Sequence, residues 1–540
     1  MLKFIQKKFR FWNIMSNSLY DDSNDEEDAK AVFSLNLKEN IDILKNILGQ
    51  SDDIVIREFA FGNSMKKNGA VVFIEGLTNK TIINENIIMP LMYGSRFAGS
   101  EEIPDIDNID SIRKCMVAAG DVERVSIVDK AVESCLSGYT ILIVDGSREV
   151  LIVNSSGWKS RGVEEPKTEA VVRGPREGFS ETLRTNTALL RRKIKNPNLA
   201  LKTIVIGKNT KTNVCIAYLK GTANARLIEE IIRRLKRINT DSILESGYIE
   251  QFIEDAPFSI FPTIANSEKP DIVAAKILEG RAAIMVDGTP FVLTVPMVFI
   301  ENFQSAEDYY SRPYLASLIR MLRFLSYLIS ILAPAIYVAL TTFHQELIPT
   351  PLLLTMAAAH EGVPFPAVIE AGIMIVTFEI LREAGVRLPR PVGQAISIVG
   401  ALVIGESAVS AGIIGAPMVI VVAITAVSSF VIPAQTDSGV ILRFILLILA
   451  GAMGGFGIGI GLLGVYVHLA SLRSFGVPYL APIAPLVVRD LKDTLIRAPI
   501  WGKFTKPRSI NWQDPERLEF RLYPDIEDEG KFFESCSVPN

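Results

Sequence analysis

The chain has 540 residues, 49% of them hydrophobic and 21% charged, with a formal net charge of −4. Its mean hydropathy of +0.29 is high for a wholly soluble chain and low for one lying entirely in lipid, so the length divides into soluble and membrane parts holding several domains. The near-neutral balance offers no basic footprint for nucleic acid, and Cys115, Cys135, Cys215 and Cys536 have neither paired nor metal-ligand spacing; a disulfide framework and a zinc site are excluded, and the thiols read as buried or idle in a reducing compartment.

Met1–Met15 is interrupted by Lys and Arg and has no uninterrupted apolar core, so no cleavable signal is expected. It reads as a frayed terminus or a basic amphipathic surface helix. The acidic run 20–29 reads as a solvated linker. Short apolar runs follow at Ala70–Glu75, Ile141–Val144, Thr203–Ile206, Val214–Leu219 and Ala282–Val286, and these predict strands. Ala223–Ile238 repeats apolar residues at Leu227, Ile231 and Leu235, which predicts an amphipathic helix.

This half repeats itself. Gly62-Asn63 and Val72–Asn79 match Gly207-Lys208 and Ala217–Asn224 at an offset of 145. Asp129, Leu136–Gly138 and Val144–Gly146 match Asp271, Leu278–Gly280 and Val286–Gly288 at an offset of 142. Two collinear blocks predict two copies of one α/β unit: strand, turn, strand, helix, helix and closing hairpin. Asp145-Gly146 and Asp287-Gly288 have the chemistry of tight hairpin turns, which accounts for both aspartates without catalysis.

Between the copies, Lys159–Asn198 holds ten Lys/Arg against five Asp/Glu. Its Arg173, Arg176, Glu177 and Phe179 lie in a stretch too dense in Gly, Pro and Arg for an ordinary amphipathic helix. An anion site, a lipid-headgroup contact and a subunit interface all fit, and the interface is favoured. No P-loop, G-x-S-x-G or H-E-x-x-H occurs, and there are only three histidines, so no catalytic residue, metal or cofactor is expected.

Phe324–Phe343 carries no charge and is long enough to span a bilayer. Further candidate spans are Phe365–Leu381, Val392–Ala411, Ile413–Ile432 and the long Phe444–Leu472. Arg312, Arg320 and Arg323 precede the first span, while His344–Pro364 has no Lys or Arg, which puts the N-terminal half in the cytosol. The basic residues from Arg489 to Arg508 ask for a cytosolic tail and hence an even number of crossings, so one apolar segment must be split or re-entrant. Gly451–Gly464, with seven glycines in fourteen residues, is the best suspect; the proline-bearing Val477–Val488 is another. Intramembrane Glu370, Glu379 and Glu406 must face a neighbouring helix, a cation or water. Glu370, Met374 and Thr377 fall on one helix side; with Glu406 they are candidate conduit-lining residues, a bond to a neighbouring helix being the plain alternative.

The fold class is therefore a duplicated α/β N-terminal cytosolic domain plus a polytopic α-helical membrane domain. The expected boundaries are an N-terminal arm and acidic linker (1–49), first α/β subdomain (50–157), basic linker (158–199), second α/β subdomain (200–305), transmembrane helical domain (306–488) and cytosolic tail (489–540).

Val172–Phe179, Tyr309-Tyr310 with Arg312-Pro313, His344–Thr350, Arg387–Pro389, Gly393–Ala395, Ile404–Glu406 and Arg497–Pro499 together resemble the A subunit of spore germinant receptors, the GerA family of endospore-forming bacteria. The resemblance covers nearly the whole chain. It implies the spore inner membrane, a polytopic B subunit that holds the nutrient, a C-subunit lipoprotein, contact with membrane lipid, self-oligomerisation and a nutrient-gated conduit for monovalent cations. A non-conducting scaffold and a secondary transporter are the alternatives.

Overall fold

The computed structural model describes residues 31–49, 51–61, 67–97, 109–157, 166, 169, 171–387, 405–488, 490–500, 506–507 and 510. The N-terminal segment Met1–Met15, the acidic run 20–29, most of the third candidate span and the basic residues Arg489, Lys503 and Arg508 lie outside them. Two compact units result: 1–49 with 54–157, and 50–53 with 158–540.

In the first unit, helix α1 (Leu37–Leu48) precedes strands β1 (Ile54–Phe61) and β2 (Lys67–Ile74); β3 (Val122–Val125), α2 (Val128–Leu136), β4 (Thr140–Val144) and β5 (Val150–Val153) follow, with shorter helices between β2 and β3. The sheet is antiparallel in the order β1-β2-β4-β5-β3, with Val71 opposite Leu142. Phe59, Phe61, Val71, Phe73, Leu142 and Leu151 pack on one face with Ile83, Ile87 and Leu91 of the intervening helices.

The second unit builds the same pattern. Helix α3 (Leu183–Lys193), β6 (Leu199–Ile206), β7 (Thr212–Leu219), α4 (Ala225–Arg237), α5 (Ser246–Ile253), β8 (Ala265–Ser267), α6 (Pro270–Leu278), β9 (Ala282–Val286) and β10 (Val292–Val295) follow one another, and the sheet order is β6-β7-β9-β10-β8. Alternate residues of β7 serve opposite faces: Cys215 and Ala217 join Phe179, Leu190 and Val273, while Val214 and Ile216 join Ile228, Ile231 and Ile249. Burial on both faces explains why these strands read as continuous apolar runs. The edge strands β3 and β8 are short and were not legible, and each stands among the helices where the sequence predicts helix alone.

The helices before each sheet are held alike. The Asp145 carboxylate accepts the Leu37 N–H at 3.1 Å, and Asp287 accepts that of Leu183 at 3.0 Å. Buried Asn40 and Asn186 each close the preceding turn by bonding both backbone groups of Ser34 and Ser180. The Asp-Gly turns thus also cap the preceding helices. Helices α1 and α3 pack as parts of the α/β units, although the sequence reading leaves them in the arm and linker.

Beyond the second sheet come α7 (Pro313–Thr342), α8 (Thr350–His360), α9 (Ala367–Arg387), α10 (Ala416–Phe430) and α11 (Thr436–Ser471). Among the described residues, Pro313–Thr342 and Pro433–Ser471 are long and apolar enough to cross a membrane. The last of these is not one rod. Gly454 takes φ 59° and ψ −140°, and a Cβ placed on Gly457 would lie 2.2 Å from the Leu449 carbonyl oxygen. In a straight helix those residues stand about 12 Å apart. Gly461 likewise meets the Leu446 side chain, 2.6 Å from such a Cβ. The chain folds back at Gly454, giving two antiparallel arms, 436–453 and 455–471, each about 26 Å long. The first arm rises beside α7, from Ser330 near Arg443 to His344 near Gly455. The second descends to His468, whose Nε2 lies 3.0 Å from Ser259 Oγ of the α/β part.

Candidate functional site

Glu370 sits in the first turn of α9, fully buried. One carboxylate oxygen accepts the N–H of Gly415, the residue that opens α10, at 3.3 Å. An anion there meets the positive end of that helix. The other oxygen is 3.1 Å from His360 Nδ1, and His360 Nε2 is 3.0 Å from the Tyr337 hydroxyl. The His360 and Tyr337 rings stack at 6.4 Å. Three helices, α7, α8 and α9, thus bring a carboxylate, an imidazole and a phenol into one line. Met374 is buried below it with Ala371, Ile375 and Met418. Thr377 is half-buried and donates to the Ile373 carbonyl of its own helix at 2.8 Å. Glu406 is exposed. The interior of the chain therefore gathers Glu370 and Met374 and leaves Thr377 and Glu406 outside the cluster.

A second polar set was missed in the sequence. Pro334 lies inside α7 and has no N–H, so the Ser330 carbonyl loses its helical donor. Arg443, only 1% exposed, supplies the replacement: its Nε donates to that carbonyl at 2.8 Å. Its Nη1 reaches Glu379 at 3.0 Å, and Glu379 also pairs with Arg382 at 2.8 Å. The legible signal was a proline inside a spanning helix together with a lone arginine at the edge of a charge-free run.

Where α7 begins, charges knot three segments together. Arg320, fully buried, pairs with Asp308 and Asp493, both at 2.8 Å, and Arg323 pairs with Asp308 at 2.8 Å. The Tyr309 hydroxyl donates to Asp493 at 2.9 Å; burial and the Asp493 charge push that phenol above its usual range. Nearby, burial alone would raise the Glu301 carboxyl, but Arg281 and Lys276 outweigh it and hold it below the usual carboxylate range.

The four candidate interface residues separate. Phe179 is buried in the second sheet's core, and its N–H donates to Glu268. Glu177 is half-buried and pairs with Arg192 and Lys193. Arg173 and Arg176 are exposed. The backbone N–H of Arg173 donates to Glu307 at 3.3 Å, and Gly174 lies so close to the Tyr310 ring that a Cβ would come within 2.8 Å of it. Of the four, only the two arginines present side chains to solvent. Cys135 and Cys215 are buried free thiols, and burial pushes Cys215 up to about 12. Among the described residues no group of His, Cys, Asp or Glu is placed to hold a metal.

Residues 42–509 match the Bacillus/Clostridium GerA spore germination protein family. The chain is 47% identical to spore germination protein KA of Bacillus subtilis (strain 168), over 91% of this chain and 90% of that one. It is 44% identical to the uncharacterized membrane protein YfkQ of the same organism, over 89% and 93%. It is 40% identical to spore germination protein GerLA of Bacillus cereus, over 89% and 96%. The crystal structure of the N-terminal domain of the A subunit of the Bacillus megaterium spore germinant receptor GerK3 is 38% identical, over 50% of this chain and 98% of that one, with a TM-score of 0.40. The chain belongs to the GerA family of spore germination proteins.

Proposed function

We propose that this chain is the multi-pass A-type subunit of a germinant receptor in the spore inner membrane, where it oligomerises, assembles with B- and C-type subunits and converts nutrient detection by its partners into release of monovalent cations. In this reading α7 runs outward, α9 inward, the segment ending near Ala411 outward, α10 inward, and the two arms of α11 outward and back. Six crossings satisfy the even count that the basic flanks require. They also bring Ser471 back to the face where Pro313 starts, both beside the cytosolic α/β domains.

The observation that carries a conducting role is the buried line Glu370–His360–Tyr337. An intramembrane acid tied to a histidine is costly to keep and commonly serves an ion or proton path. A non-conducting scaffold is favoured by the same carboxylate's bond to Gly415, since that contact gives Glu370 a structural task. The test is cation flux through vesicles carrying the chain with and without its partner subunits. Glu370→Gln should lower nutrient-triggered flux at normal protein level, because it keeps shape and hydrogen bonding but removes the charge. Normal flux from both Gln and Leu variants at normal abundance would remove Glu370 from the path. No flux from the assembled wild-type complex would leave the scaffold.

A further inference from the structure

The charge-free part of α7, 324–343, is about 30 Å long and matches the hydrocarbon core of a bilayer. The residues before it, Pro313–Arg323, therefore run through the headgroup layer on the side of the α/β domains. Three parts of the chain expose large apolar side chains at that level. On α7 itself these are Tyr314 and Leu318. In the segment after the last helix they are Ile496 and Ile500, held at this height by Arg497, whose N–H donates to Ser317 Oγ at 3.0 Å and whose guanidinium donates to the Ser311 carbonyl at 2.7 Å. In the second α/β unit it is Phe258, 100% exposed, beside Ser259, which meets His468 in the last turn of the descending arm.

Single exposed apolar residues need no explanation, but a rim drawn from three distant stretches at one height does. Exposed Arg473 and Lys492 lie on the same rim and suit anionic headgroups. Aromatic and aliphatic groups interleaved with basic ones are the chemistry of a membrane surface. We propose that Phe258, Ile496 and Ile500, with the start of α7, form a collar that dips into the acyl–headgroup boundary of the bilayer, so that the second α/β unit and the tail rest on lipid. The proposal builds on the membrane-spanning reading above.

The test is depth-resolved tryptophan quenching of the full chain in phosphatidylcholine–phosphatidylglycerol vesicles. Trp12, Trp158, Trp501 and Trp512 are first replaced by Phe, and one tryptophan is then introduced by Phe258→Trp, Ile496→Trp or, as the control on the ascending arm, Ile448→Trp. The Phe258→Trp and Ile496→Trp proteins should lose roughly half their emission to lipids brominated near the headgroup and be shielded from aqueous iodide. The control should respond to bromine deep in the chains. If the control is not quenched, the spanning reading itself fails. If the control responds but the collar sites answer only to iodide, the collar is in water and the proposal falls. Shielding from both quenchers would mean that protein, a second copy or a partner subunit, covers this face, which also overturns it.

Discussion

Arg443 shows how one missing proton donor sets a distant residue. Pro334 removes an N–H from α7, and the arginine 113 residues away fills the gap while neutralising Glu379. Replacing one partner of a buried ion pair leaves the other uncompensated, at about 3–5 kcal/mol. Arg443→Met should therefore sharply lower the Tm of the purified chain, and adding Glu379→Leu should restore part of that loss; purely additive losses would show that the pair is not coupled. A different residue governs pH response. Burial first, then repulsion from Glu254 and Glu245, pushes Glu250 from 4.5 up to about 7. The folded chain holds that proton more tightly than the unfolded chain, so the associated stability is full below about pH 4.5 and drains away as the pH rises through about 7. Glu250→Gln should narrow the Tm difference between acid and mildly alkaline buffer in scanning fluorimetry, and an unchanged difference would contradict the assignment. Neither residue stood out in the sequence. Arg443 looked like a flank to a span, and the burial of Glu250 depends on how α5 seats on the sheet.

At the scale of elements, the glycine-rich segment illustrates what composition reveals and what it hides. Seven glycines in fourteen residues mark a break, yet any of them could host it. The choice of Gly454 rests on packing: its positive φ, its closeness to Phe343 and the pressing of Gly457 against the Leu449 backbone. Two alanine variants separate the hairpin from a straight helix. Gly457→Ala drives a methyl into a backbone carbonyl that cannot yield and should cost at least about 1–3 kcal/mol, seen as reduced membrane abundance. Gly459→Ala meets nothing within 4 Å and should be near neutral. Equal behaviour of the two would speak for an unbent rod. The α/β repeat was legible for a related reason: buried strands and Asp-Gly turns are local signals. The caps that Asp145 and Asp287 provide are not, because their partners lie 108 and 104 residues away, and so α1 and α3 passed for linker.

At the scale of the molecule, sidedness is the sharpest test. Arginines before α7, a loop without Lys or Arg after it and the returning arm of α11 agree on one arrangement. Cysteine placed at Thr350 should react with an impermeant thiol reagent added outside, while Arg473→Cys and Lys503→Cys should be protected until the membrane is opened. Equal labelling at Thr350 and Arg473 would overturn the six-crossing path. One buried contact bears on how such a chain is made. Asp53 and Ser51 belong with the second unit, where both bond the buried guanidinium of Arg191, at 2.8 and 3.0 Å. The first unit's sheet begins at the very next residue, so the polypeptide visits the second unit briefly, leaves to build the first sheet, and returns. During synthesis Asp53 emerges 138 residues ahead of its counter-ion, a wait on the order of ten seconds at ribosomal speed. A fragment starting at residue 158 would bury Arg191 without an anion, and one ending at residue 157 would strand Asp53 without a cation. The two copies of the repeat are thus interleaved along the chain, and a gene cut between them yields two incomplete halves.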